Sequence, residues 1–202
     1  MPSCACFIQE IKEFANLEEA ISYMNLQSIY QKAINFAAEK HQDQKVPGTN
    51  SSYLIHPAMV AMEIIFAAQS ESDFDLELAV PVALLHDVLE DTRCSFKEIK
   101  EQFGVQVADG VLALTKNELL PIEKQIPDSL DRIRHQPKEI WAVKLADRIS
   151  NMQKPPQHWD IRKRKNYQLM AQTILEALQG SCEYLEDRLK HEIEEYNHFI
   201  MM

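Results

Sequence analysis

The stretch "ALLHDVLEDT", residues 83–92, decides the fold because an apolar run leads directly into one histidine and three carboxylates. The apolar residues from Val80 to Leu85 predict a buried helix. On a helix, positions four apart lie above one another, roughly 6 Å along the axis. His86 would then lie under Glu90 and Asp87 under Asp91. The segment therefore predicts a buried helix that ends in a cluster of like charges.

These carboxylates need a positive charge, since burying them unpaired would cost several kcal/mol per charge. A divalent metal held by His86 and Asp87 supplies that charge. Glu90 and Asp91 would then lie one layer further out, placed to orient or deprotonate a water. The alternative is a surface helix end with solvated acids and a packed histidine. The segment alone leaves both interpretations open.

Composition indicates one domain that neither spans nor coats a membrane. The chain has 202 residues, of which 46% are hydrophobic and 26% charged, and no apolar run of 18 residues occurs. The N-terminal segment lacks the pattern of a secretory signal, so we expect a cytoplasmic protein. The four cysteines show no zinc-finger spacing and are predicted to be free thiols. The oligomeric state cannot be read from the sequence, and a homo-oligomer stays open.

The net charge of −10 argues against nucleic acid as the main partner. An anionic ligand must therefore bind in a local basic pocket. Only four glycines occur, and apolar residues recur at three- and four-residue spacing, which predicts an all-α chain. The predicted helices cover residues 8–22, 26–42, 54–69, 74–91, 95–103, 105–116, 121–135, 137–153, 159–178 and 180–197.

Local signals mark several boundaries. Ser95 and Glu98 have the spacing of a capping box, and Gly104 lies where a left-handed helix stop is expected. The segments 45–53 and 154–159 are predicted loops, because Pro, Gly, Asn and Ser in the first and consecutive prolines in the second oppose a helix.

Two histidines and an aspartate are further ligand candidates. His41 ends a helical run before the glycine loop, where it is either a ligand or a capping group. His56 precedes Pro57, and a structural role is the favoured interpretation. Asp147 lies with Lys144, Arg148 and Asn151 on a stripe of an apolar helix. That stripe is either part of a buried site or a salt-bridged, solvated face.

An ordered set of fragments runs along most of the chain. The set resembles the HD superfamily of metal-dependent phosphohydrolases, specifically the RelA/SpoT-type hydrolase domain and the stand-alone small alarmone hydrolases. The resemblance implies a single HD-type bundle of about ten helices over residues 1–202, with a motif core at 33–153 and C-terminal helices 159–197 packed on it. The fragments are "FAAEKHQDQKVPG", "YLIHP", "ALLHDVLEDT", "FG", "LALTKN" and "VKLADRISNM".

The resemblance also implies a site. One Mn²⁺ per chain would be bound by His41, His86, Asp87 and Asp147, although other divalent transition metals suit the same ligands. By the same resemblance, the catalytic acids that activate the attacking water are Glu90 and Asp91. The residues expected to contact the substrate are Lys45, Lys144, Arg148, Asn151, Lys163 and Tyr167.

The family reaction removes the 3′-pyrophosphate of guanosine 3′,5′-bis(diphosphate), ppGpp, or of its pentaphosphate relative, and yields GDP or GTP. The resemblance implies this reaction here, and the chain length implies no synthetase domain. Lys45 stands where the family usually has arginine, and Ser52 where it commonly has proline. Two alternatives therefore stay open: the same chemistry on another phosphorylated nucleotide, such as an adenine alarmone or NADPH, or a catalytically silent nucleotide-sensing module.

Overall fold

The computed structural model describes residues 25–71 and 73–201, and most of them are helical. The predicted helix 8–22 and the pair Cys4 and Cys6 lie outside the described residues. Cys94 and Cys182 are free, as predicted, and the structure buries both of them. In chain order the helices are α1 (25–40), α2 (Ile55–Ala67), α3 (Leu76–Leu85), α4 (Val88–Asp91), α5 (Phe96–Phe103), α6 (Val105–Leu114), α7 (Ile122–Arg134), α8 (Lys138–Asn151), α9 (Ile161–Ala177), α10 (Glu183–Glu195) and α11 (Asn197–Met201).

Helix α8 runs through the centre of the bundle. Every residue in 142–150 is buried, and α8 packs against α2, α3, α9 and α10. The polar stripe on this helix is buried with it, because Lys144, Asp147 and Arg148 are each at most 8% exposed. The interpretation of the stripe as a solvated face is therefore wrong. Burying three charged side chains is costly unless they pair with one another or with a ligand.

The predicted helix 74–91 is interrupted between Leu85 and Val88, which separates α3 from α4. The imidazole of His86 lies with its Nδ1 2.7 Å from the Ala83 carbonyl oxygen, so the side chain takes up a backbone acceptor at the end of α3. Asp87 follows with φ −98° and ψ −4° and begins α4. His86 and Asp87 thus lie at a turn between two helices, rather than inside one continuous helix.

An ion pair fixes α2 against α10. Arg188 Nη2 donates to Glu63 Oε1 at 2.8 Å, and Glu63 is buried. The bidentate geometry, with Arg188 Nε 2.9 Å from Glu63 Oε2, is the strong form of this pair. Because α2 carries His56 near its first turn, this contact also positions that histidine. Within the described ranges, no helix is long and apolar enough to cross a bilayer.

The capping box predicted at the start of α5 is confirmed. Ser95 Oγ accepts from the Glu98 backbone N–H at 3.3 Å, and the Ser95 N–H donates to Glu98 Oε2 at 2.7 Å. We expect Ser95→Ala to lower the free energy of unfolding by about 1 kcal/mol, because the Glu98 backbone N–H loses its acceptor. Urea unfolding measures this change. Thr173→Ala, at an exposed position inside α9, is the control, and an equal loss in both variants would contradict the capping role.

Candidate active site

Two histidines and two aspartates from three parts of the fold converge on one point. We call His56, His86, Asp87 and Asp147 the ligand cluster. His56 Nε2 lies 3.2 Å from His86 Nε2 and 3.3 Å from Asp147 Oδ1, and His86 Nε2 lies 3.0 Å from Asp87 Oδ2. His56 comes from the start of α2, Asp147 from the middle of α8, and the other two from the turn between α3 and α4.

Hydrogen bonds to the Nδ1 atoms of His56 and His86 hold the two imidazoles in orientation. His86 Nδ1 donates to the Ala83 carbonyl, so in the neutral imidazole the lone pair lies on Nε2, the nitrogen that faces the cluster. His56 Nδ1 lies 3.1 Å from Ser150 Oγ on α8. Imidazoles oriented through their second nitrogen in this way are typical of metal-binding histidines.

The aspartates are held in the same manner. The Tyr53 hydroxyl donates to Asp87 Oδ2 at 2.5 Å. Asp147 accepts from Asn151 Nδ2 at 2.6 Å on Oδ1 and from Lys144 Nζ at 2.9 Å on Oδ2. Each carboxylate therefore has at least one donor from outside the ligand cluster that sets its orientation.

The carboxylates of the cluster favour positive charge on the groups beside them. Burial lowers the pKa of His86, but the carboxylates of Asp87 and Asp147 outweigh burial and raise it to about 9. Burial raises the pKa of Asp147, yet Lys144 and the two imidazoles hold it well below its usual range. Two imidazoles and two ionised carboxylates within hydrogen-bonding distance are a donor set that suits a divalent transition metal. The residues present thus fit such an ion.

The predicted ligand His41 is not among the residues whose donor atoms converge with those of His86 and Asp147, whereas His56 is. The His41 imidazole lies next to the Tyr53 ring, and the two ring centroids are 4.9 Å apart. Its Nδ1 is 2.6 Å from Gln44 Oε1, and its Nε2 is buried without a hydrogen-bond partner. Gln44 Nε2 in turn donates to the Asp91 carbonyl at 2.5 Å. His41 therefore contacts Tyr53 and Gln44, and Gln44 links it to the backbone of α4.

A pocket of about 410 Å³ opens onto the ligand cluster. Carboxylates, cations and apolar side chains all line this pocket. Apolar and aromatic groups of this kind, with a few convergent polar groups, are usual for small-molecule sites. The lining residues are Tyr53, His56, His86, Asp87, Glu90, Asp91, Leu114, Lys116, Ile122, Gln125, Ile126, Lys144, Asp147, Arg148, Asn151, Tyr167 and Met170.

Both predicted acids lie in this pocket, in different environments. The two oxygens of Glu90 bind Lys116, one through its backbone N–H at 3.0 Å and the other through its ammonium group. Asp91 is exposed, and partial burial together with the nearby charges of Asp87 and Glu90 raises its pKa. Of the two carboxylates, Glu90 is ion-paired, whereas Asp91 faces other negative charges.

Four of the six predicted substrate contacts line the pocket, namely Lys144, Arg148, Asn151 and Tyr167. The Arg148 guanidinium lies 4.8 Å from the centroid of the Tyr167 ring, and its Nε and Nη1 are buried without partners. The other two predicted contacts, Lys45 and Lys163, do not line it. Lys45 is exposed and bridges to Ser52, and Lys163 lies over the Trp159 ring at 4.5 Å.

The sequence interpretation favoured a structural role for His56 over its role as a ligand candidate, and it gave no role to Tyr53 and Lys116, which also line the pocket. His56 lies in the quoted fragment "YLIHP", but a histidine before proline gives no sign that α2 will point it at α8. Tyr53 lies in the same fragment, and Lys116 lies in "LALTKN". Their positions in these fragments are the only signal that the sequence offered for them.

The chain matches known proteins along most of its length. A family model described as HD domain covers residues 33–178. The guanosine-3′,5′-bis(diphosphate) 3′-pyrophosphohydrolase of Danio rerio is 30% identical over 164 residues, which are 79% of this chain and 89% of that protein. The protein of the same name from Aquifex aeolicus (strain VF5) is 32% identical over 170 residues, or 82% of this chain and 23% of that longer protein.

Solved structures agree with these matches. A metazoan ortholog of SpoT that hydrolyzes ppGpp and plays a role in starvation responses superimposes with a TM-score of 0.72 at 25% identity. The match covers 83% of this chain and 94% of that one. The predicted all-α fold is thereby confirmed. With two histidines and two aspartates converging on its central helix, and with a family match from residue 33 to residue 178, this chain belongs to the HD domain family.

Proposed function

We propose that this chain is a metal-dependent phosphohydrolase that removes the 3′-pyrophosphate of ppGpp or its pentaphosphate relative, with release of pyrophosphate and GDP or GTP. The ligand cluster carries this proposal, because its nitrogen and oxygen atoms converge at the wall of a pocket that also holds acids and cations. The relatives named for this reaction support the choice of substrate.

The ion that we propose is one Mn²⁺ per chain, held by His56, His86, Asp87 and Asp147. This set replaces the one predicted from the sequence, with His56 in place of His41. Bound there, a divalent ion supplies Lewis acidity, which polarises phosphoryl oxygens and lowers the pKa of water. Lys144 neutralises the second oxygen of Asp147, and Tyr53 holds Asp87 in orientation.

The acids of α4 handle the proton of the attacking water. Asp91 has an exposed carboxylate with a raised pKa, which suits a group that accepts a proton. Glu90 lies beside it on the same helix and is held by Lys116. General-base catalysis of this kind contributes about 10²- to 10⁴-fold to the rate.

The remaining pocket residues position the nucleotide. The unpaired nitrogens of Arg148 are donors for substrate oxygens, and Tyr167 fixes the guanidinium plane from one side. Leu114, Ile122 and Ile126 offer an apolar wall for the base. The pocket thus offers polar groups for phosphate and apolar groups for the nucleoside.

Product analysis tests the proposal. Metal-free and Mn²⁺-loaded protein is incubated with ppGpp, and GDP and pyrophosphate are quantified, with Asp87→Ala as the control. We expect both products in equal amounts from the loaded wild type alone. A panel of other nucleotides, including an adenine alarmone and NADPH, runs in parallel. Intact ppGpp beside a hydrolysed member of the panel would reject the substrate and keep the chemistry.

Tyr53→Phe is expected to weaken Mn²⁺ binding by about 10- to 100-fold, because Asp87 loses the donor that orients it. Calorimetric titration of the metal-free protein with Mn²⁺ measures the change. Tyr184→Phe, at a partly exposed position on α10, is the matched control. Equal affinities in the wild type and the Tyr53 variant would show that the hydroxyl does not support the metal site.

We further propose that residues 1–202 form one HD domain, supported by the packing of α9 and α10 on α8. The cytoplasmic location stays a prediction.

A further inference from the structure

Lys116, in the loop after α6, binds both oxygens of Glu90. Its backbone N–H donates to Oε2 at 3.0 Å, and its Nζ forms an ion pair with Oε1. The Glu90 side chain is 17% exposed, and that of Lys116 is 39% exposed. Glu90 is therefore the more enclosed side chain of the pair, and more of the Lys116 side chain is open to solvent.

The other cations in the pocket wall are more enclosed. Lys144 is 8% exposed and gives its Nζ to Asp147, and Arg148 is 6% exposed and lies against Tyr167. Among the pocket-lining residues that the structure describes, Lys116 is thus the cation with the most accessible side chain. An incoming anion can reach it without displacing the core of the bundle.

The charge balance of the pocket shows why such a cation matters. Four carboxylates line the pocket against three lysine and arginine side chains. A pyrophosphate group adds further negative charge to this wall. Charge-assisted hydrogen bonds from an ammonium group to phosphate oxygens are about twice as strong as neutral ones. The bond from Lys116 Nζ to the Glu90 carboxylate is of the same charge-assisted kind, so a pyrophosphate oxygen can compete for this Nζ because its group carries more negative charge than one carboxylate.

We propose that Lys116 is a substrate-binding residue whose Nζ moves from Glu90 Oε1 to a non-bridging oxygen of the substrate's pyrophosphate group. This inference rests on the proposed function for its substrate. The backbone N–H of Lys116 keeps its bond to Glu90 Oε2, so the carboxylate stays in position while Oε1 becomes free to accept a bond from water. Substrate binding and exposure of the acid are thereby coupled through one lysine.

The test compares Lys116→Met, Lys116→Arg and the control Lys124→Met, which removes an equal charge from an exposed position of α7 outside the pocket wall. Calorimetry first measures binding of inorganic pyrophosphate to protein loaded with Mn²⁺ and freed of excess metal. Lys116→Met is expected to weaken this binding by about 10- to 100-fold, whereas Lys116→Arg keeps most of it. Lys124→Met should match the wild type.

Steady-state kinetics on ppGpp form the second readout. The KM of Lys116→Met should rise by a factor similar to the loss of pyrophosphate affinity, with a smaller fall in kcat. A fall in kcat with unchanged KM and pyrophosphate affinity would overturn the inference, since Lys116 would then act on Glu90 alone. An arginine variant as weak as the methionine variant would overturn it too. Lys116-dependent pyrophosphate binding by a wild type that leaves ppGpp intact would instead reject the proposed function and keep the phosphate site.

Discussion

His56→Ala should remove the bound metal and lower ppGpp hydrolysis by at least about a thousandfold. The His56 Nε2 atom lies within 3.3 Å of atoms of both His86 and Asp147, so its loss opens one side of the ligand cluster. A metal contributes several kcal/mol to stabilising charge in phosphoryl transfer, and 1.36 kcal/mol corresponds to a factor of ten. Metal analysis of the purified variant and its turnover number measure the two effects.

His41→Ala is the informative comparison, because the sequence favoured that histidine as the ligand. We expect this variant to bind one metal ion with an affinity within about tenfold of the wild type, because His41 lies outside the ligand cluster. His191→Ala, at an exposed position of α10, is the control that measures the effect of removing a histidine far from the site in the sequence. If His41→Ala loses the metal while His56→Ala retains it, the set predicted from the sequence is correct and the ligand cluster is wrongly assigned.

The local features of the fold could be read from the sequence because local chemistry determines them. The capping box at Ser95 depends on residues three positions apart, and Gly104 has a φ of +89°, a region that favours glycine. The break after Leu85 is different. A continuous apolar run gives no signal that the His86 imidazole will bind the carbonyl of Ala83. The apolar periodicity therefore predicted one helix over the residues that form α3 and α4.

Pairings between distant elements account for most of what sequence reasoning missed at the site. His86, Asp87 and Asp147 became ligand candidates because charged residues interrupt apolar helices there, a pattern that is unfavourable without a ligand, and the family resemblance then placed them in one set. For His56 the favoured interpretation was a structural role, because its place in the site depends on where α2 crosses α8 and on the bond to Ser150. Likewise, only the fold shows that Lys116 reaches Glu90, across 26 positions of the chain.

Glu90→Gln and Asp91→Asn should each lower kcat by about 10²- to 10⁴-fold while leaving one metal ion bound. Both substitutions keep the size of the side chain and remove only the negative charge, so the turn that holds His86 and Asp87 is preserved. The expected loss is that of a general acid–base group, since the amide cannot accept the proton of the attacking water. Single-turnover rates and metal content, measured on the same preparations, separate this loss from a loss of the ion.

Glu77→Gln is the matched control for these two variants, since it removes a carboxylate from the first turn of α3, outside the pocket wall. It should retain the wild-type kcat. Full turnover in either acid variant would show that the corresponding carboxylate does not handle the proton. A variant that loses both turnover and metal would place its carboxylate among the groups that hold the ion. Different outcomes for the two variants would show that the acids have different roles. Their surroundings already differ, since Glu90 is ion-paired with Lys116 and Asp91 is exposed.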